Sequence, residues 1–340
     1  MSSFNLHGIM VRQERFSKTF LVLPTEALTL LIPNSFLNVY QIFEIFITVL
    51  FPIAIIVSFG FLADRIFTLD TSSFSKLLIY FTLPALVFSG MSQSSLQTDE
   101  LWQLTLYTIV TMVILAALSW VLTRLMKLGK KTSSAFILAT LLANMGNFGL
   151  PFSTFAFGDE GLSRALIIFV ISSIVSYTLG IFIASMGTAT VKESITNTLK
   201  VPLIYATFFG LLINQGYLAI PLSLSRSIDL LGDSAVPVML FVLGIQLSRT
   251  RIRGHLRLIF FGSMVRLIGG PLLGLIIIYF IGLKGLGANV ALIQMGMPTA
   301  VATTILADEF GSDTQITSSI LFVSTMLSFV TLSVLLSLLT

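Results

Sequence analysis

The chain has 340 residues, of which 55% are hydrophobic and only 10% charged, and its mean hydropathy is +0.99; an ordinary soluble domain carries about 25% charged residues, so a single water-soluble core cannot hide this much apolar surface. Cysteine is absent and the only histidines are His7 and His255, which excludes disulfides and thiolate chemistry and leaves zinc sites short of ligands. The net charge of +4 is spread in short runs between apolar stretches, a membrane-topology pattern that argues against nucleic-acid binding.

Residues 1–41 are expected to form an N-terminal segment at the membrane interface, or an over-long start with Met10 or a later codon nearer the true one. Their apolar run from Thr19 to Ile32 is short for a span and is interrupted by Pro24 and Glu26. Beyond them, apolar stretches fall at 43–63, 74–92, 101–126, 134–158, 163–187, 201–215, 222–248, 258–283, 287–307 and 314–339. That pattern predicts an all-α integral membrane fold of about ten spans, because a lipid core offers no partner to bare peptide groups and a barrel would alternate with period two. Arg65, Lys76, Arg124, Lys127, Lys130, Lys131, Lys192, Lys200, Arg249, Arg251, Arg253 and Arg257 fall in loops on one side, against Arg164 and Lys284 on the other. The asymmetry puts the first set in the cytoplasm and both termini outside, in the plasma membrane.

The ten spans divide into two sets of five. An offset of 153 residues superimposes Pro84 on Pro237, Phe157 on Phe310 and Gly158 on Gly311. Five is odd, so the halves enter from opposite sides: 42–187 is read as the first five-helix repeat, 188–200 as a cytoplasmic linker and 201–340 as the second, inverted repeat. Secondary carriers use such symmetry to alternate access around a central site.

The fourth span runs Leu142-Ala143-Asn144-Met145-Gly146-Asn147-Phe148-Gly149-Leu150-Pro151, and the ninth Gln294-Met295-Gly296-Met297-Pro298-Thr299-Ala300. Both should unwind, since proline removes a donor and clashes with the preceding turn while glycine tolerates conformations other residues avoid. Gly/Pro-interrupted segments at corresponding places in two halves point to a substrate site. Amides at the start of each second half-helix favour a carboxylate or similar anion, with Asn144, Asn147, Gln294 and Thr299 adding neutral hydrogen bonds. Gly149, Pro151 and Pro298 complete the candidate substrate-binding set. Neither break contains an aspartate, glutamate, lysine or histidine, so a site of amide donors suits an anion better than a cation. No catalytic residue, metal site or cofactor is expected: paired intramembrane aspartates, HExxH, a Ser-His-Asp set and an ATP-binding loop are all missing.

Elsewhere, Arg226 and Asp229 are spaced to pair on one helical face. Arg266, two turns inside the eighth span, either snorkels to the headgroups or draws an anion inward. Gly270-Pro271-Leu272-Leu273-Gly274 reads as a close helix contact.

From about Ile42 onward the chain resembles the bacterial branch of the auxin efflux carrier family of membrane transporters. The resemblance rests on Phe81-Thr82-Leu83-Pro84-Ala85-Leu86-Val87-Phe88, on Asn144 through Pro151 with Phe157-Gly158-Asp159-Glu160-Gly161, on Leu231-Gly232-Asp233-Ser234-Ala235-Val236-Pro237, and on Met297-Pro298-Thr299-Ala300-Val301 with Ala307-Asp308-Glu309-Phe310-Gly311. It implies two inverted five-helix repeats whose fourth and ninth helices cross at the substrate site. It also implies a scaffold of helices one, two, six and seven, a mobile transport part from the rest, and a homodimer. Asn144 matches the family's crossover asparagine, and Pro151 and Pro298 its crossover prolines. Ala143 and Met145 depart from the proline and threonine of many members, and Asn147 stands where others are often apolar. The implied cargo is a small organic anion. A sodium- or proton-coupled symporter of bile-acid type and a non-cycling channel or sensor are the alternatives.

Overall fold

The computed structural model describes residues 34–185, 202–250, 252 and 254–339; most of the expected N-terminal segment, the linker 188–200, and Lys192, Lys200, Arg251 and Arg253 lie outside them. The chain divides after Glu44 into two units. In the first, the described residues belong to helix α1, Asn34–Ile45. Apart from the helical run that begins at Tyr40, all that follows concerns the second.

Its helices in chain order are α2 (Phe51–Phe67), α3 (Thr71–Leu77), α4 (Leu83–Ser92), α5 (Thr98–Leu125), α6 (Lys130–Leu141), α7 (Leu150–Val175), α8 (Ile181–Ala184), α9 (Pro202–Asn214), α10 (Leu222–Asp233), α11 (Ala235–Arg249), α12 (Leu256–Met264), α13 (Gly270–Ile281), α14 (Gly285–Met295), α15 (Ala302–Glu309) and α16 (Thr314–Ser337). Several join through a wider π-helical turn: Phe46–Leu50, Leu78–Thr82, Met145–Gly149 and Val265–Gly269 each lead directly into a helix carrying proline in its first two positions. Pro52, Pro84, Pro151 and Pro271 have no amide to return to the preceding turn, and the helix relaxes by one residue instead of breaking.

Seven helical runs among the described residues are long and apolar enough to cross a membrane: Tyr40–Phe67, Thr71–Ser92, Thr98–Leu125, Met145–Ala184, Leu222–Arg249, Leu256–Ile281 and Thr314–Ser337. Ten were expected, and the difference has physical sources. The fourth and fifth expected spans share the 40-residue run Met145–Ala184, which at about 1.5 Å per residue is twice the hydrocarbon thickness. Gly158, at φ 63° and ψ −158°, turns the backbone inside it, in a region that side chains disfavour. The sixth is the 13-residue α9, and the ninth is interrupted between α14 and α15.

The tightest seam joins α2 to α11. A Cβ on Gly60 would fall on the carbonyl of Phe241, and one on Gly244 on the carbonyl of Val57, so the backbones touch where side chains would ordinarily separate them. At the end of this seam the Asp64 carboxylate accepts from Arg249 Nε at 3.1 Å and Nη2 at 2.6 Å, from the Ser248 hydroxyl and from the Leu69 amide at 3.2 Å. The other ion pair among the described residues, Glu100–Arg164 at 2.7 Å, ties the start of α5 to α7. Arg226 and Asp229 do not pair. Asp229 is instead held by the Ser89 hydroxyl at 2.5 Å and the Gln93 amide at 3.2 Å, both from the end of the second span.

Candidate functional site

Both glycine- and proline-rich segments leave the helix. After α6 the chain is extended at Leu142 (φ −85°, ψ 101°), passes Asn144 (φ −77°, ψ 57°) and re-enters through the turn Met145–Gly149. After α14 it runs non-helically to Val301 before α15. The two segments lie antiparallel, Ala143 opposite Thr299. The Asn144 amide donates to the Pro298 carbonyl at 2.7 Å and the Ala300 amide to the Leu142 carbonyl at 2.8 Å. Each break thereby supplies the hydrogen bonds the other lost, which is how irregular backbone survives at membrane depth. Pro298 suits its place because it has an acceptor to give and no donor to lose.

The seven singled-out residues take up different tasks here. Asn144 is buried, 5% exposed, and its side-chain Nδ2 has no partner. Asn147 is half-buried on the turn that follows. Gln294, fully buried, donates from Nε2 to the Ser153 hydroxyl at 3.1 Å and leaves Oε1 unpartnered. Gly149 makes room for it, since a Cβ there would strike Gln294 Oε1. Pro151 is buried in the first turn of α7. The Thr299 hydroxyl donates to the Ala139 carbonyl at 2.7 Å, and its amide donates to the Ser324 hydroxyl at 3.1 Å. Thr299 therefore fastens the second break to α6 and α16 and has no hydroxyl proton left over. The buried free capacity in the breaks is the Asn144 donor and the Gln294 acceptor.

Two features escaped the sequence reading. Arg266 neither snorkels nor faces a vestibule: it is fully buried, with Nη1 donating to the Thr140 and Leu141 carbonyls at 2.9 and 3.2 Å and Nη2 donating to the Met295 carbonyl. The signal available was a lone cation in an apolar span followed by Gly270, where a Cβ would meet both Arg266 Nη2 and the Met295 carbonyl. The second feature is a cavity of about 750 Å³ beside the breaks, walled by the start of α3, the end of α11, the residues Val301, Thr304 and Ile305, and the first turns of α16. Three of its wall atoms, Thr71 Oγ1, Gln246 Oε1 and Thr304 Oγ1, are buried without a partner. Its one charged wall residue is Arg249, already engaged by Asp64. Hydroxyl-rich residues spread over four separate helices gave no local pattern from which to expect it.

Membrane-length helices around a buried polar break, with a cavity reaching its edge, make up the body of an integral membrane transport protein. A family model described as membrane transport protein matches residues 45–336, and the chain belongs to that family, the auxin efflux carrier type, whose members are transporters rather than enzymes. An uncharacterized transporter of Methanocaldococcus jannaschii is 26% identical over 265 residues, 75% of this chain and 85% of the relative. One of Methanothermobacter thermautotrophicus is 24% identical over 265 residues, 77% of this chain and 87% of the relative. Auxin efflux carrier component 1 of Arabidopsis thaliana is 28% identical over 122 residues, 34% of this chain and 20% of that protein.

Proposed function

We propose that this protein is a secondary carrier for a small organic anion, a carboxylate, which it moves by exposing the paired breaks alternately to the two sides of the plasma membrane. The observation that carries the reading is the backbone pairing of Leu142–Asn144 with Pro298–Ala300, edged by an open cavity and by an unpartnered buried amide donor on Asn144. Counting the two halves of the long run separately, and adding the short α9 and the interrupted pair α14/α15 as one crossing each, gives ten spans in two inverted sets of five. The positive φ shared by Gly158 and Gly311, at equivalent places in the two sets, supports that symmetry. The cavity lies on the side of Arg65 and Arg249, read as cytoplasmic from the distribution of basic loops, which supports an inward-facing conformation. A carboxylate entering there meets the start of α15, whose free amides are donors, with no carboxylate of the protein in either break to oppose it; the Asn144 amide lies buried in the paired break behind the cavity wall.

Thermal stabilisation of the purified protein by a panel of mono- and dicarboxylates, indole acids and cations, with and without sodium, tests this. One carboxylate class raises the midpoint in the wild type and fails to do so in Asn144→Ala, and the same class supports counterflow in liposomes. Stabilisation by cations alone refutes the anion assignment.

A further inference from the structure

Arg266 carries a full positive charge into the centre of the molecule with no carboxylate beside it: the ion pairs among the described residues are Glu100–Arg164 and Asp64–Arg249. What surrounds it instead is the end of two helices. Thr140 and Leu141 are the last residues of α6, and Met295 is the last of α14. A helix C-terminus bears about −0.5 of an elementary charge, concentrated in carbonyls that have no intrahelical partner. Two such ends converging on one guanidinium balance its charge, and the planar fork reaches both at once, as a point charge on a flexible stem does not. Room for the fork comes from Gly270, and the next turn of α14 is tied down separately by Tyr107, whose hydroxyl donates to the Ala291 carbonyl at 3.1 Å.

Broken-helix carriers hold coupling cations with the same chemistry, unwound carbonyls and half-helix C-terminal ends. We propose that Arg266 is an internal substitute for such a cation: a positioning residue whose guanidinium clamps the ends of α6 and α14 into one moving body, so that no metal ion is needed at the breaks for transport. Its transport arm rests on the carrier reading above, whereas its stability arm does not.

The test uses the full chain, purified and in proteoliposomes, as wild type, Arg266→Ala, Arg266→Lys and Arg266→Gln. Wild-type counterflow of the stabilising carboxylate is expected to be unchanged when sodium is replaced by choline. Arg266→Ala is expected to lose at least tenfold in counterflow and several degrees in thermal midpoint. Millimolar guanidinium should restore a substantial part of both, while equal tetramethylammonium restores neither. Should Arg266→Ala not fold, Arg266→Lys against Arg266→Gln carries the test, the lysine variant having the higher midpoint because it keeps the charge. An Arg266→Ala protein with wild-type midpoint and counterflow overturns the proposal. So does a loss that guanidinium leaves untouched, equal midpoints for the lysine and glutamine variants, or a wild type that stops without sodium. Guanidinium rescue of the midpoint in a protein that shows no carboxylate counterflow would uphold the clamp and refute the carrier reading.

Discussion

The seam between α2 and α11 and the paired breaks at Ala143 and Thr299 are both places where backbones meet without side chains between them, yet they are built in opposite ways. The seam brings together two intact helices, so its peptide groups are already satisfied and glycine serves only to allow contact, as at Gly60 and Gly244. Its one buried carboxylate, Asp64, is surrounded by donors. The breaks bring together two interrupted helices whose peptide groups must find each other, and they still leave Asn144 Nδ2 and Gln294 Oε1 with nothing to bond. A contact between intact helices whose one buried charge is matched holds its shape without help. One with a buried donor and acceptor left over gains from a ligand that supplies the missing partners.

The largest effect that sharpens this contrast is expected at the seam. Gly244→Leu places a branched side chain against the Val57 carbonyl and the Phe61 amide, contacts that no rotamer avoids, and should abolish monodisperse protein in fluorescence-detected size exclusion. A well-behaved variant would show that the backbones can separate and that the seam is not rigid. Next comes Asn144→Leu, close in shape and lacking the unpartnered donor from which a carboxylate can accept. Its stability should stay within about 1 kcal/mol of wild type, while affinity for the stabilising carboxylate falls by at least tenfold, about 1.4 kcal/mol; ligand titration of the thermal midpoint reads both. Unchanged affinity would remove Asn144 from the site.

A smaller loss is expected for Asp64→Asn. The Asp64 side chain is 7% exposed but that of Arg249 is 46% exposed, so the pair is partly solvated and its loss should cost about 1–2 kcal/mol rather than the 3–5 of a fully buried one. Urea-dependent unfolding in detergent measures it. The smallest effect concerns Asp70, the cap of α3 beside the cavity. The Ser73 hydroxyl, and then the Ser72 and Ser73 amides, hold its carboxyl below the usual carboxylate range. Its contribution is therefore complete above the ordinary aspartate value near 4 and disappears as the pH falls through the lowered one. The thermal midpoints of wild type and Asp70→Ala should differ slightly at pH 7 and converge in acid.

Much of the fold was legible because the relevant signals are local. Apolar runs marked the membrane helices, and the sequences around Asn144-Met145-Gly146-Asn147 and Met297-Pro298-Thr299 announced two interruptions through residues that disfavour a continuing helix. What stayed hidden depends on partners far along the chain. The Thr299 hydroxyl seemed available to a ligand until Ala139 was seen to take it. Arg226 and Asp229 had the right spacing to pair, and only the neighbouring Ser89 and Gln93 explain why Asp229 bonds elsewhere. Arg266 looked like a misplaced surface cation because the carbonyls that receive it belong to two other helices. The count of spans was ambiguous for a different reason: hydropathy reports apolar length, and the bend at Gly158 divides a long apolar run without changing its composition.

The pairing of the two breaks also governs how the protein can be made. Leu142, Ala143 and Asn144 emerge from the ribosome well before Pro298, Thr299 and Ala300 exist, so during synthesis the first break enters the bilayer with an amide and a carbonyl still unmatched. Until the second half arrives, those groups must be sheltered by the insertion machinery or by water drawn in beside them. The last helices to be inserted are thus also the ones that close the wound in the first half, and a chain stopped before Pro298 is an unfinished protein even where its own helices are complete.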